Sequence, residues 1–361
     1  MGLWLVAPIA IAHGADPVCS RFGDGAAVGR VQNTKLTEIS GLVASRRHAD
    51  VYWTHNDSGG KPEVFALSLS GANLGSYALT GATAIDWEDI GIGPKAGAAG
   101  SYLYAADIGD NAAGLPGMGT PRDHVTVYRV SEPTLTPTAP GAALSGVERF
   151  NLVYPGGPED AESLLVDPVS GDLVIITKSV FGRSRILVAP AASMANGASI
   201  TMTDFGVIQI VPVINPGSTF PGTFVTGADI SADGALILVR TYQAVLAFTR
   251  SPGQSVPEAL HAGSCNAPQI AETQGEAVAI AADGSRYVTI SEGTTPAINA
   301  FPIANPKTPA PSTTTTTARR SGVAGQVLAR SGEEAALALL LGAAALAVVL
   351  FVRQIGRDGE M

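Results

Sequence analysis

Acidic side chains gather where apolar strands end. In "SYLYAADIGDN" (101–111) an alternating apolar run gives way to Asp107, Asp110 and Asn111 around a glycine. "HNDSGG" places His55, Asn56 and Asp57 together, and "DWED" supplies Asp86, Glu88 and Asp89. Hard oxygen donors of this kind suit Ca²⁺, which accepts about six to eight of them in irregular geometry. Asp107, Asp110, Asn111, Asp86 and Glu88 are therefore candidate Ca²⁺ ligands, although the alternating spacing and final Glu of an EF-hand loop are absent. The alternative is that these acids cap strand ends and pair with Lys178, Arg183, Arg185 or Arg240, since a buried charge must be paired or bind metal.

The pattern recurs along the chain. Five similar units begin at Glu38 ("EISGLVASRRHADVYWTHNDSG"), Glu88 ("EDIGIGPKAGAAGSYLYAADIGDN"), Glu162 ("ESLLVDPVSGDLVIITKSVFG"), Asp229 ("DISADGALILVRTYQ") and Glu276 ("EAVAIAADGSRYVTISEG"). Each has a short strand, a turn rich in Asp and Gly, and a second apolar strand, usually followed by two more β-rich stretches. Four antiparallel strands repeated every several tens of residues predict a β-propeller of five or six four-stranded blades. The aspartates of "DPVSGD", "SADGA" and "AADGS" are assigned to hairpin turns. The last unit lacks a fourth strand, and "GRVQNTKLT" before Glu38 is expected to complete it and close the ring.

In such a ring, first-strand starts and second-strand ends share one face. That places Glu38, Asp57, Asp86, Glu88, Asp107, Asp160, Glu162, Lys178, Asp229, Arg240, Glu276 and Glu292 around an axial pocket. His55, Lys178 and Arg240 are the candidates for acid–base or anion-holding roles. A histidine at a strand end is more often a hydrogen-bonding residue, and the five histidines form no HxH or HExxH zinc cluster. No G-x-S-x-G elbow is present. Trp53 and Trp87 are expected to pack between blades.

The 361 residues include 42 Gly and 24 Pro and carry a net charge of −9, which fits many short strands joined by turns. The acidic balance argues against a nucleic-acid partner. Residues 1–15 read as a signal peptide, the alternative being a buried N-terminal element. The propeller is expected over 16–305. A Pro/Thr-rich stalk follows at 306–334, then an uncharged apolar run at 335–352 long enough for a single transmembrane helix, and a short cytoplasmic tail at 353–361. The large domain is thereby expected outside the cell membrane. Cys19 and Cys265 can form one disulfide there, next to the ring closure; two free buried thiols are the alternative.

The run "EISGL…VYWTHNDSG", then "DWEDI…LYAADIGDN…VYRVSEP", resembles secreted bacterial propellers of the esterase-like phytase-domain group. The resemblance implies a propeller with Glu38, Asp57, Asp86, Glu88, Asp107 and Glu162 facing the channel. Phytase propellers add dense basic residues and several calcium ions, whereas this chain offers Lys178, Arg240, Arg122 and Arg129. Two functions are therefore expected: a surface-displayed, Ca²⁺-stabilised module for an extracellular ligand or partner, or a Ca²⁺-assisted phosphoester or ester hydrolase using Lys178 and Arg240. The first is preferred, because a fold alone does not supply a catalytic set.

Overall fold

In the computed structural model the chain is described over residues 18–304, except 58, 115–116, 136–140 and 214–219. The expected signal peptide, stalk, membrane helix and tail lie outside the described residues. Among the described ones, no helix is long and apolar enough to cross a membrane.

Strand β1 (Ala26–Arg30) is followed by β2 (Ile39–Ala44), β3 (Val51–Asn56), β4 (Glu63–Ser68) and β5 (Asn73–Leu79), the first blade. Next come β6 (Trp87–Gly93), β7 (Tyr102–Asp107), the short α1 (Asn111–Gly114) and β8 (Val125–Ser131). β9 (Ala142–Leu144) turns back to pair parallel with β5, and β10 (Glu148–Val153) completes the second blade. The third holds β11 (Ala161–Val166), β12 (Leu173–Thr177) and β13 (Arg183–Ala189); β14 (Ser199–Thr201) pairs parallel with β10, and β15 (Thr203–Gln209) closes the sheet. The fourth blade is β16 (Val225–Ile230), β17 (Leu236–Thr241) and β18 (Ala244–Thr249), then α2 (Val256–His261) and β19 (Cys265–Ala267). The fifth is β20 (Gly275–Ile280), β21 (Arg286–Ser291) and β22 (Ala297–Pro302), completed by β1.

The result is a five-bladed propeller closed by its N-terminal strand. Three details differ from expectation. The first and second blades gain a short fifth strand, β9 and β14, because a connecting segment runs back along the outer edge. The closing strand is Ala26–Arg30, slightly before "GRVQNTKLT". The fourth unit starts at Val225, so Asp229 is the fifth residue of its first strand rather than the first.

Burial explains the apolar runs. β2, β11, β16 and β20 are buried at every position, because both faces of an inner strand pack on neighbouring blades. Outer β15 is mostly exposed. Apolar side chains form a cluster between each neighbouring pair of blades, such as Trp53 and Trp87 between the first and second. The turn aspartates do what was expected: Asp233 accepts from Ser231 and the Ala235 N–H, Asp283 from the Ser285 N–H, and Gly234 and Gly284 have φ of 74° and 69°. Asp167 also binds the Arg250 guanidinium at 2.7 and 3.0 Å.

Cys19 and Cys265 form a disulfide across 246 residues, tying the segment before β1 to the fourth blade. Cross-linking so long a loop stabilises by roughly 2–5 kcal/mol on the chain-entropy view. At the same closure the Ala304 N–H donates to the Arg21 carbonyl at 2.8 Å. Register puts Pro302 opposite Arg286, at the far end of the fifth blade from Gly275 and Ser291.

Candidate functional site

Every first strand carries a β-bulge at the same place in its hairpin. The register shifts fall between Ile39 and Leu42, Trp87 and Asp89, Ala161 and Ser163, Val225 and Gly227, and Gly275 and Ala277. A bulge leaves a residue out of the ladder and re-aims its side chain. In four of the hairpins that residue is Glu88, Glu162, Thr226 or Glu276, and in the first it is the pair Ser40–Gly41. The next turn of the pattern also repeats. The N–H groups of Asp57, Gly109, Lys178 and Glu292 donate to the carbonyls of Glu38, Asp86, Asp160 and Gln274 at 2.8–3.1 Å. Backbone geometry thus repeats around the axis, and side chains vary upon it.

These positions assemble a buried acidic pocket. Glu88, Glu162 and Glu276 come from three blades and are 3–6% exposed, and the Glu162 charge raises the proton affinity of the other two. Burial, then the charges of Asp57, Glu162 and Asp86, pushes the Glu88 carboxyl well above the usual carboxylate range. Burial and the Asp160 charge push Asp86 up to about 6. Glu162 rises to about 7 through burial, even with the Lys178 ammonium bound to it. Glu292 rises to about 7 through burial and the nearby Glu38, which is itself exposed at the rim. Lys178 is the cation felt by Glu88, Glu162, Glu276 and Glu292 alike, and among the described residues it forms a salt bridge only with Glu162. One ammonium is opposed by many carboxylates.

Asp57, Asp86 and Glu88 bring one ligand oxygen each to within 4.8 Å of one another, close enough to share a cation. Carboxylate oxygens suit a hard divalent ion. The Glu162 Oε2 atom is buried without a hydrogen-bond partner. Gly109 leaves the space, because a Cβ there would collide with the Glu88 and Asp86 carboxylates.

The fourth blade breaks the acidic pattern. It presents Phe224, Thr226 and Tyr242 where other blades carry acids. The Lys178 ammonium lies 5.4 Å from the Phe224 ring centre and 5.5 Å from that of Tyr242, with the Tyr242 hydroxyl at 3.4 Å. Phe220 packs on Tyr242 with ring centres 4.7 Å apart. These aromatic residues were missed by the sequence reading. Aligning the second-strand ends as Asn56-Asp57, Thr177-Lys178, Thr241-Tyr242 and Ser291-Glu292 would have found Tyr242.

Several other expected site residues are held by protein partners, and Asp107 is so held beside Asp86. Asp107 accepts the Arg122 guanidinium at 2.9 Å and the N–H groups of Asp86 and Ile85. Asp110 accepts the Arg122 and Ala113 N–H groups, and Asn111 opens α1. The Arg240 guanidinium, 2% exposed, binds Glu272 and the Ala277 carbonyl. Glu272 also accepts from Thr289 and Asn299, so Arg240 staples the fourth blade to the fifth. Asp229 accepts the N–H groups of Ile280 and Ile230, deeper along the channel. His55 is fully buried beside Trp87, contacts the Asn56 carbonyl through Nδ1, and is held neutral with its pKa lowered to about 4 by burial.

The class defined by this architecture is the five-bladed β-propeller with an acidic axial pocket. No known family model matches the chain, and no curated protein matches it in sequence. Among solved structures it is similar to a gluconolactonase from Xanthomonas campestris, at 12% identity over 73% of this chain and 72% of that one, with a TM-score of 0.38. A likeness at that level carries no weight for activity or substrate.

Proposed function

We propose that this propeller is a ligand-binding module displayed outside the cell membrane, with Ca²⁺ held in its axial pocket. The carrying observation is the convergence of Asp57, Asp86 and Glu88 in a pocket whose carboxylates far outnumber its ammonium groups. Those three residues would hold the ion, with the unpartnered Glu162 oxygen beside them. A bound Ca²⁺ supplies positive charge and coordination positions for ligand oxygens. The chain's own residues do the rest: Gly109 keeps the cradle open, and Phe224 and Tyr242 wall its fourth side.

Display at the surface is supported by the Cys19–Cys265 disulfide, which belongs in an oxidising compartment. The described chain leaves the propeller at Ala304, on the face away from the pocket. A tether through 306–334 and a helix at 335–352 would then present the pocket away from the membrane. The narrower likeness to the phytase-domain group belongs to this proposal as well.

The hydrolase reading has one observation in its favour. Glu162 keeps a carboxyl raised to about 7 beside Lys178, suited to moving a proton near neutrality. Arg240, expected to share anion binding with Lys178, is engaged by Glu272 instead, which favours binding over hydrolysis.

Calorimetric titration with Ca²⁺ tests the proposal. Saturable binding in the wild type that is lost in Asp57→Asn and Glu88→Gln supports it. Heat indistinguishable from dilution would end it. Ca²⁺-dependent turnover of ester or phosphoester substrates, lost in Glu162→Gln, would move the assignment to the hydrolase.

A further inference from the structure

A second cleft opens beside the acidic pocket, and its charge is opposite. It encloses about 200 Å³ on the first blade and is lined by Lys35, Asn56, Lys61, Glu63 and Phe65. Two ammonium groups and one carboxylate give it a positive lining. Both lysines are exposed, and neither forms a salt bridge with a described residue, which is also true of Arg21, Arg30, Arg46, Arg47, Arg149 and Arg183.

Hydrogen bonds hold the backbone on the Lys35 side of the cleft. Asn56, the last residue of β3, donates from Nδ2 to the Lys35 carbonyl at 2.7 Å and accepts the Glu38 N–H on Oδ1. The Lys35 N–H is in turn fixed by the Asn33 side chain at 3.1 Å. Asn56 thereby pins the segment carrying Lys35 against the strand end carrying Asp57, the next residue in the chain. Phe65, 4% exposed, gives the cleft an apolar wall. One strand end therefore serves both sites: Asp57 belongs to the acidic cluster, and Asn56 to the basic cleft.

The juxtaposition restricts what can bind. Away from the ion, an anionic group beside Glu162 and Glu276 would meet carboxylates at close range in a poorly solvated site. On the first blade the same group would meet two lysines. We propose that the Lys35–Lys61 cleft is an oxyanion subsite, holding the carboxylate or phosphate of a ligand whose uncharged oxygens reach the ion at Asp57, Asp86 and Glu88. This rests on the Ca²⁺-binding reading given above, and it fixes the ligand class as a small polar molecule with an oxyanion at one end and hydroxyl or carbonyl oxygens at the other.

Glycerol 3-phosphate, D-glycerate and glycerol serve as probes, titrated calorimetrically into the full chain with Ca²⁺ present and again in EDTA. The expected result is that one or both anionic probes bind at least about tenfold more tightly than glycerol, as a charge-assisted contact supplies. Which of them binds separates phosphate from carboxylate. The Lys35→Gln/Lys61→Gln variant should lose that preference, and Lys35→Arg/Lys61→Arg should keep most of it. Equal affinity for all three probes overturns the subsite, and so does a preference that survives the glutamine pair. The Ca²⁺ titration without probe judges the ion separately. A flat Ca²⁺ curve with lysine-dependent anion binding would discard the ion and retain the cleft.

Discussion

Asp107 and Glu88 belong to one hairpin, on β7 and β6, and are 0% and 3% exposed. Their surroundings differ completely. Asp107 receives a guanidinium and two backbone N–H groups. Glu88 receives the Ser40 hydroxyl at a distant 3.5 Å and faces Asp57, Asp86 and Glu162. At equal burial, the partners decide whether a carboxylate holds the fold together or stays available to a cation. Asp107 is of the first kind and Glu88 of the second.

The contrast can be broken at Arg122. Arg122→Ala strands a buried Asp107 carboxylate, and losing one partner of a buried pair costs about 3–5 kcal/mol. Urea unfolding in EDTA should show a loss of that size; a loss below about 1 kcal/mol would mean that Asp107 is not held by the pair.

Calcium should act on the other group. At a hundred times its Kd, Ca²⁺ should stabilise the native state by about 2.7 kcal/mol, read as a rise in Tm. The rise should vanish in Glu88→Gln and persist in Asp110→Asn. The reverse pattern would relocate the ion to the loop after β7.

Titration should separate the groups as well. Asp86, Glu162 and Glu292 have carboxyls raised to about 6, 7 and 7, above ordinary values near 4. The native state therefore holds these protons more tightly than the unfolded chain does. Their stabilisation is complete below about pH 4 and is lost as pH rises through 6 to 7. In EDTA, unfolding free energy should fall across that window, and Ca²⁺ should remove the fall. Asp167, lowered by the Arg250 guanidinium and neighbouring donors against the opposing effect of burial, contributes in the opposite sense: its stability is lost only as pH drops below 4. A flat profile between pH 5 and 7.5 in EDTA would contradict the acidic pocket.

The smallest effect is expected at Asp110. Asp110→Asn keeps one oxygen, for only one of the Arg122 and Ala113 N–H groups that Oδ2 and Oδ1 accept, so it should cost about 1 kcal/mol for the lost bond and leave Ca²⁺ binding unchanged.

Much of this molecule was legible in its sequence. Repeated hairpins with Asp-Gly turns gave five units, because strand period and turn chemistry are local properties. The incomplete last unit implied closure by the N-terminal strand, and two cysteines near that closure implied their bond. Glu38, Asp57, Asp86, Glu88, Glu162, Lys178, Glu276 and Glu292 were placed on one face by the same repeat. The fourth unit was set three residues late, at Asp229 rather than Thr226, because its pocket positions hold Phe224, Thr226 and Tyr242 rather than acids.

Tertiary structure alone decided which charges meet. Arg122 reaches Asp107 across a loop, and Arg240 reaches Glu272 across a blade boundary, and neither pairing has a local signature. The cation that reaches Glu162, and the lysines that line the cleft beside Asp57, likewise come together only through the fold. Backbone pattern follows from short-range sterics and burial periodicity, whereas the pairing of buried charges depends on distances set by every blade at once.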